Sequence, residues 1–213
     1  MALYTGSSAI DTVLSRLENN DAFYPREYIR KTLNLCIQNS NLWIGWYQGS
    51  VNIDTVKDRV AYDVPNNFIF PMALSLAGRT INKSAFGPLV ADNQKLWKQG
   101  TSNTGRQMTD WALLGLRKFV VYPADSVGGR VMTLSGVLEP PLFADEATTL
   151  SVPVNVMNSI FDFVTHVVQV RLSGQPFLQS MQGLKIYAQA MKQNTMWRSS
   201  GQPYYADEVK VGE

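Results

Sequence analysis

His166 is the only histidine among the 213 residues, and Asp162 stands four positions before it. On a helix that spacing sets the two side chains one turn apart, the arrangement in which a carboxylate can orient an imidazole as a general base. The same spacing also makes an ordinary exposed pair. That plainer reading is adopted, because no further catalytic context accompanies the two residues. Zinc normally needs several His or Cys ligands, which one histidine and one cysteine do not supply. The single cysteine, Cys36, falls on the apolar face of a helical pattern and reads as a small buried hydrophobe rather than a nucleophile. No G-x-x-x-x-G-K-[ST] or G-x-G-x-x-G run is present to cradle a phosphate, and Gly128-Gly129 ahead of Arg130 reads as a hairpin turn. Trp43, Trp46 and Tyr47 can stack on bases or sugars, but such a cluster more often packs between helices and a sheet. Arg26, Arg30, Lys31, Lys57 and Arg59 can meet phosphate, yet they interleave with Glu27, Asp54 and Asp58 as a solvated surface does. The expectation is a chain that is no enzyme, with no catalytic residue, cofactor or metal.

The elements that must position these residues start with the stretch from Ser151 to Gln193. Val154, Met157, Ile160, Phe161, Val164, Val167 and Val168 recur at three- and four-residue steps, the period of an amphipathic helix. Ser151 is the expected cap and Pro153 fits the first turn. Ser173-Gly174 breaks the pattern, and Phe177, Met181, Leu184, Ala188 and Met191 form a second stripe. Together they predict a helical hairpin. Near the amino end Ile10, Val13, Leu14 and Leu17 predict a short helix capped by Ser7 or Ser8. Pro25 opens another, with Tyr28, Ile29, Thr32, Leu33, Cys36 and Ile37 on one face, ending at Asn39 to Asn41.

Between the helix pairs the vocabulary turns aromatic and β-branched. Leu42 to Tyr47 reads as a strand, Gln48-Gly49-Ser50 as a turn, and Val51 to Val56 as a half-buried strand of period two. Arg59 to Val64 continues the strand pattern. Phe68 to Ile81 stays open, since Pro71 either sits early in a helix or marks an edge strand. Leu89 to Lys98 predicts a short helix and Gly100 to Gly105 a loop. Asp110 to Gly115, Lys118 to Pro123 and Val131 to Val137 are further strands, with a turn over Ala124 to Gly129. Pro140-Pro141 begins an extended link. The expected fold class is α+β: a helical bundle formed by the N- and C-terminal helix pairs, a β-rich central insertion and an extended C-terminal arm. The corresponding segments are residues 1–41, 42–150, 151–194 and 195–213.

Composition narrows the function classes. Charged residues make up 17% of the chain and the net charge is +2, which gives no support for a dedicated DNA- or membrane-binding surface. No run approaches the roughly 18 apolar residues needed to span a bilayer. Met1 to Ser8 lacks the basic start and apolar core of a secretory signal, so the chain is expected to be made and folded in the cytosol.

The order of features resembles the head-to-tail connector adaptors of tailed bacteriophages, over roughly Ser8 to Asn194. It runs from the N-terminal helix pair to Trp43, Trp46 and Gly49, then a strand ending in Val64-Pro65. Trp97 ahead of Gly100 and Gly105 follows, then strands ending in Tyr122-Pro123, the link from Gly136 to Pro141, and the last helix pair with Tyr187-Ala188. The C-terminal tail and the loop from Asn82 to Pro88 depart from the pattern. The resemblance implies a structural virion protein that forms a homo-oligomeric ring of about twelve copies below the portal. Such a ring sits at the head–tail interface, is assembled in the host bacterial cytoplasm, and binds portal and tail or neck proteins. Double-stranded DNA passes through its channel without specific binding, and no membrane is involved. It also implies that the arm, with Trp197, Arg198, Tyr204 and Tyr205, contacts the portal or neighbouring copies. The alternative within the same particle is a tail-tube gatekeeper or another neck ring.

Overall fold

The computed structural model describes residues 2–17, 23–85, 108–115, 117–173 and 183–193. The chain divides into two compact units. Among the described residues, those up to Tyr47 and from Glu139 onward form the first unit, and Gln48–Leu138 forms the second.

The first unit opens on a short strand, β1 (Ala2–Thr5), which pairs antiparallel with a later strand, here named β9 (Thr149–Val152), from Ala2 opposite Val152 to Thr5 opposite Thr149. Thr5 ends the strand and also caps α1 (Gly6–Arg16). Its hydroxyl accepts from the Ser8 N–H, and the Ser8 hydroxyl accepts from the Thr5 N–H, each at 3.0 Å. Two of the helix's orphan donors are satisfied by this reciprocal cap. The α2 helix (Arg26–Ile44) follows Pro25 and stops at Gly45, whose left-handed backbone (φ 61°) a side chain would disfavour. The α3 helix spans Val154–Ser173, and α4 covers residues 183–193. Ile10, Val13 and Leu14 of α1, Ile29, Leu33 and Ile37 of α2, Met157, Ile160 and Val164 of α3, and Tyr187 and Met191 of α4 share one core. Each fully buried aliphatic side chain there contributes about 1.5–3 kcal/mol.

The second unit is a seven-stranded mixed sheet in the order β2-β8-β4-β5-β6-β7-β3. Its members are β2 (Gln48–Asp54), β3 (Ala61–Asp63), β4 (Phe68–Leu76), β5 (Arg79–Lys83), β6 (Asp110–Leu114), β7 (Lys118–Tyr122) and β8 (Val131–Leu138). All neighbours are antiparallel except β5 and β6, which run parallel. β2 and β3 follow one another in the chain yet lie at opposite edges of the sheet, joined only by residues 55–60. Such a connection reaches at most about 25 Å, whereas a flat sheet of this many strands is roughly 29 Å wide. The sheet therefore curls. Leu74, Met132, Leu134, Trp111 and Phe119 are fully buried within this unit.

The expected architecture is overturned. Strands are not an insertion into a helical bundle: the curled sheet is the largest assembly of elements, and a further strand pair, β1 with β9, stands at the ends of the helices. The physical reason is visible at three places. Residues 2–5 and 149–152 are too short to display a period, so Ser151, expected as a helix cap, lies instead in β9. The α2 helix runs on through Leu42, Trp43 and Ile44, where tertiary burial of Ile44 and the Gly45 cap override local β preference. Gln48 to Ser50, expected as a turn, then begins β2. Pro71 marks irregular pairing between β4 and β8 rather than the start of a helix. Gly128 and Gly129 do adopt left-handed backbone, but the turn they make is no hairpin, because β7 and β8 are not paired. The helix expected from Leu89 to Lys98, the loop from Gly100 to Gly105, Phe177, Met181 and the arm from Trp197 onward lie outside the described residues.

Candidate functional site

His166 lies on α3 with its ring against Gly183 of α4, and its Nε2 is buried without a hydrogen-bond partner. Asp162 does not orient it. The Asp162 carboxylate instead accepts from the Arg16 guanidinium at 2.5 Å, joining α3 to α1 at the surface. A cavity of about 260 Å³ beside them is lined by Ser159, Asp162, Phe163, His166, Gly183 and Tyr187. Phe163 and Tyr187 stack with their centroids 4.4 Å apart. Burial pushes the Tyr187 hydroxyl above its ordinary range, so it stays a neutral phenol whose O–H donates at 3.4 Å to the Cys36 carbonyl. Chemically the group is a packed contact between α3 and α4. The carboxylate needed to hold the imidazole in one tautomer is bound elsewhere.

Cys36 is buried, and burial pushes its thiol up to about 12, far from the thiolate that a nucleophile requires. The tryptophan pair splits. Trp46 is buried, with its indole N–H donating to the Ser40 hydroxyl at 3.1 Å, while Trp43 is 61% exposed on the outer side of α2. Of the basic residues, Arg26, Arg30, Lys31 and Arg59 lie against carboxylates or carbonyls. Arg26 bridges Asp11 and Glu146, each at 2.8 Å. Arg30 forks onto Glu27 and donates to the Phe143 and Ala144 carbonyls. Arg59 lies near Asp63 and over the Tyr62 ring. Trp197, Arg198, Tyr204 and Tyr205 fall outside the described residues.

The strongest electrostatic feature was not singled out by the sequence reading. Asp125 is fully buried in the second unit and pairs with Arg130, which donates from Nη2 at 2.5 Å and from Nε at 2.9 Å. The Thr55 hydroxyl donates to the same carboxylate at 2.5 Å, and the Val127 N–H at 3.0 Å. The Arg130 guanidinium first, then Thr55 and the Val127 and Gly128 amides, hold the carboxyl well below its usual range against the opposing effect of burial. The pair locks the turn between β7 and β8 to the end of β2. Its only sequence signal was an Asp-x-x-x-x-Arg spacing inside a turn, which many surface loops share.

Among the described residues no three of His, Cys, Asp and Glu converge where a metal could bind, and no helix is long and apolar enough to cross a membrane. No protein-family model matches the chain, and no curated protein matches it significantly.

Proposed function

We propose that the chain is a structural subunit of a tailed-bacteriophage neck, a head-to-tail connector adaptor that closes into a ring of about twelve copies below the portal. The reading rests on the ordered resemblance, and one structural observation supports it. The two ends of the chain fold into a single core, and the stretch between them folds as a strand unit of its own. A subunit so divided can hold a ring with one unit and meet a different partner with the other. The exposed apolar residues on α2, Leu35, Leu42 and Trp43, suit burial against another protein rather than a duplex. The net charge of +2 suits a conduit, since tight DNA binding scales with the phosphates neutralised.

Mixing the purified chain with portal and imaging the product is the test. A closed ring of this chain on the portal is the expected result. A chain that remains monomeric and ignores portal under assembly conditions overturns the proposal.

A further inference from the structure

At one end of the strand unit three segments are tied together: the chain leaving β2, the turn into β8, and the turn between β4 and β5. The Thr55 N–H donates to the Arg130 carbonyl and the Gly129 N–H to the Thr55 carbonyl. The Asp58 N–H donates to the Asp125 carbonyl and the Ala77 N–H to the Val131 carbonyl. The buried Asp125 carboxylate joins Thr55, Val127 and Arg130 at the same place. Among the described residues Asp58 and Ala77 are the only non-glycine residues with left-handed backbone, and both stand here. Such backbone persists only where its surroundings over-determine it, so this end of the unit is stiff.

Turns ordinarily carry Gly, Asn, Asp and Ser. This one carries Val127, which is 73% exposed, with Val56 and Val131 nearly half exposed on the segments bonded to it. Valines held out to water on a stiff support have the form of a contact surface. A second apolar surface lies on the helical unit. Leu35 and Leu42 stand two turns apart on the solvent face of α2, each more than half exposed. No charged residue occurs from Thr32 to Ile53, so covering this face takes no charge out of water.

Charge selects which surface covers which. Gln48–Leu138 holds ten basic and six acidic residues, a net +4, while the rest of the chain holds nine and eleven, a net −2. Between two copies, like units repel and unlike units attract. We propose that the valine end of the strand unit in one copy seats on the Leu35–Leu42 face of α2 in the next copy. The contact is heterologous, so it passes from copy to copy and ends only where the rotation closes. It supplies a contact for the ring proposed above and rests on that reading for closure. It occupies one end of the strand unit and leaves the remainder of that unit's surface for a separate partner.

Cysteine pairing tests the contact in the full-length chain. Val127→Cys and Leu42→Cys are made singly, mixed, and treated with a short bismaleimide, both free and in the presence of portal. The buried Cys36 does not compete. Both positions are exposed, so the circular dichroism of each variant should match the wild type. The mixture should give a cross-linked dimer that neither variant gives alone. A chain carrying both changes should give a ladder beyond the dimer, which a two-fold contact cannot produce. Leu35→Asp beside L42C should abolish the product, and rising salt should lower its yield. No 127–42 product with or without portal, equal product from V127C alone, or a yield unchanged by L35D or by salt would overturn the proposal. Val56→Cys repeats the test if V127C fails to fold. A ring on the portal without the cross-link removes this contact and leaves the adaptor reading standing. A ladder from a chain that ignores portal does the reverse.

Discussion

At Gly183 a single methyl group decides whether α4 can sit on α3. A Cβ there would lie 2.0 Å from His166 Cδ2 and 2.6 Å from its Cγ and Nε2, so either the ring or the helix must move. Overpacking of this kind costs about 1–3 kcal/mol. Gly183→Ala should therefore lower stability to urea, and the double variant with His166→Ala should recover much of the loss. Strictly additive losses would show that the two positions are not coupled. Asp125 supports a second prediction. Asp125→Ala strips the Arg130 guanidinium, the Thr55 hydroxyl and the Val127 N–H of a shared acceptor, and because Arg130 is part-exposed the cost is that of lost hydrogen bonds, about 1–3 kcal/mol. The native carboxyl lies below its ordinary value of 3.8, so its stabilisation is complete above that pH and is lost as the pH falls beneath it. Acid titration of Asp125→Asn should show a shallower loss of stability in that window than the wild type. The Asp162–His166 spacing was legible in the sequence, but its outcome was not, because Arg16 reaches Asp162 from 146 residues away. Thr55 and Asp125 are likewise 70 residues apart, and no local pattern joins them.

Among the elements, those with a long period were the ones that could be read. The stripes Ile10–Val13–Leu14, Ile29–Leu33–Ile37 and Met157–Ile160–Val164 are all buried, as three- and four-residue steps require. In the last helix Met191 is buried as its place in the expected stripe requires, but Leu184 and Ala188 are not. Those two point outward and Tyr187 is buried in their stead, because the ring of a tyrosine outweighs its hydroxyl once it has a partner to stack on. The loop from Glu139 to Thr148 carries no period at all, yet three side chains of α2 fasten it: Arg26, Arg30 and Asn34. Asn34 Oδ1 accepts from the Phe143 N–H and its Nδ2 donates to the Phe143 carbonyl, both at 2.9 Å, while the Phe143 ring is fully buried. Asn34→Ala would leave the Phe143 N–H unpaired, at a cost of about 1–3 kcal/mol if water does not reach it, while the Phe143 carbonyl keeps the Arg30 guanidinium. Asn34→Asp keeps the acceptor and loses the donor, so it should fall between alanine and wild type. Equal stability for all three, measured by thermal melting, would show that water replaces the amide fully.

For the whole molecule, the division at Tyr47 and Glu139 follows from one pairing. Gln48 is opposite Val137 in the β2–β8 ladder, so the strand unit begins and ends on adjacent strands. Strands in such a pair lie about 5 Å apart, a gap that a very short linker spans. A unit whose ends are neighbours can be removed or expressed alone without stretching what remains. Two chains test this: one with Gln48–Leu138 replaced by a short Gly-Ser linker, and one made of Gln48–Leu138 by itself. The first should keep a cooperative melt and a helical circular dichroism spectrum, since the core residues of α1, α2, α3 and α4 all lie outside the excised stretch. The second should show a strand spectrum and its own melt, carried by Leu74, Trp111, Phe119, Met132 and Leu134. Asp125→Ala should then destabilise the second chain as much as the full-length protein, because Thr55, Asp125 and Arg130 all lie within it. If either chain fails to melt cooperatively, folding of the two units is coupled, and a ring built by one unit cannot leave the other free to engage a separate partner.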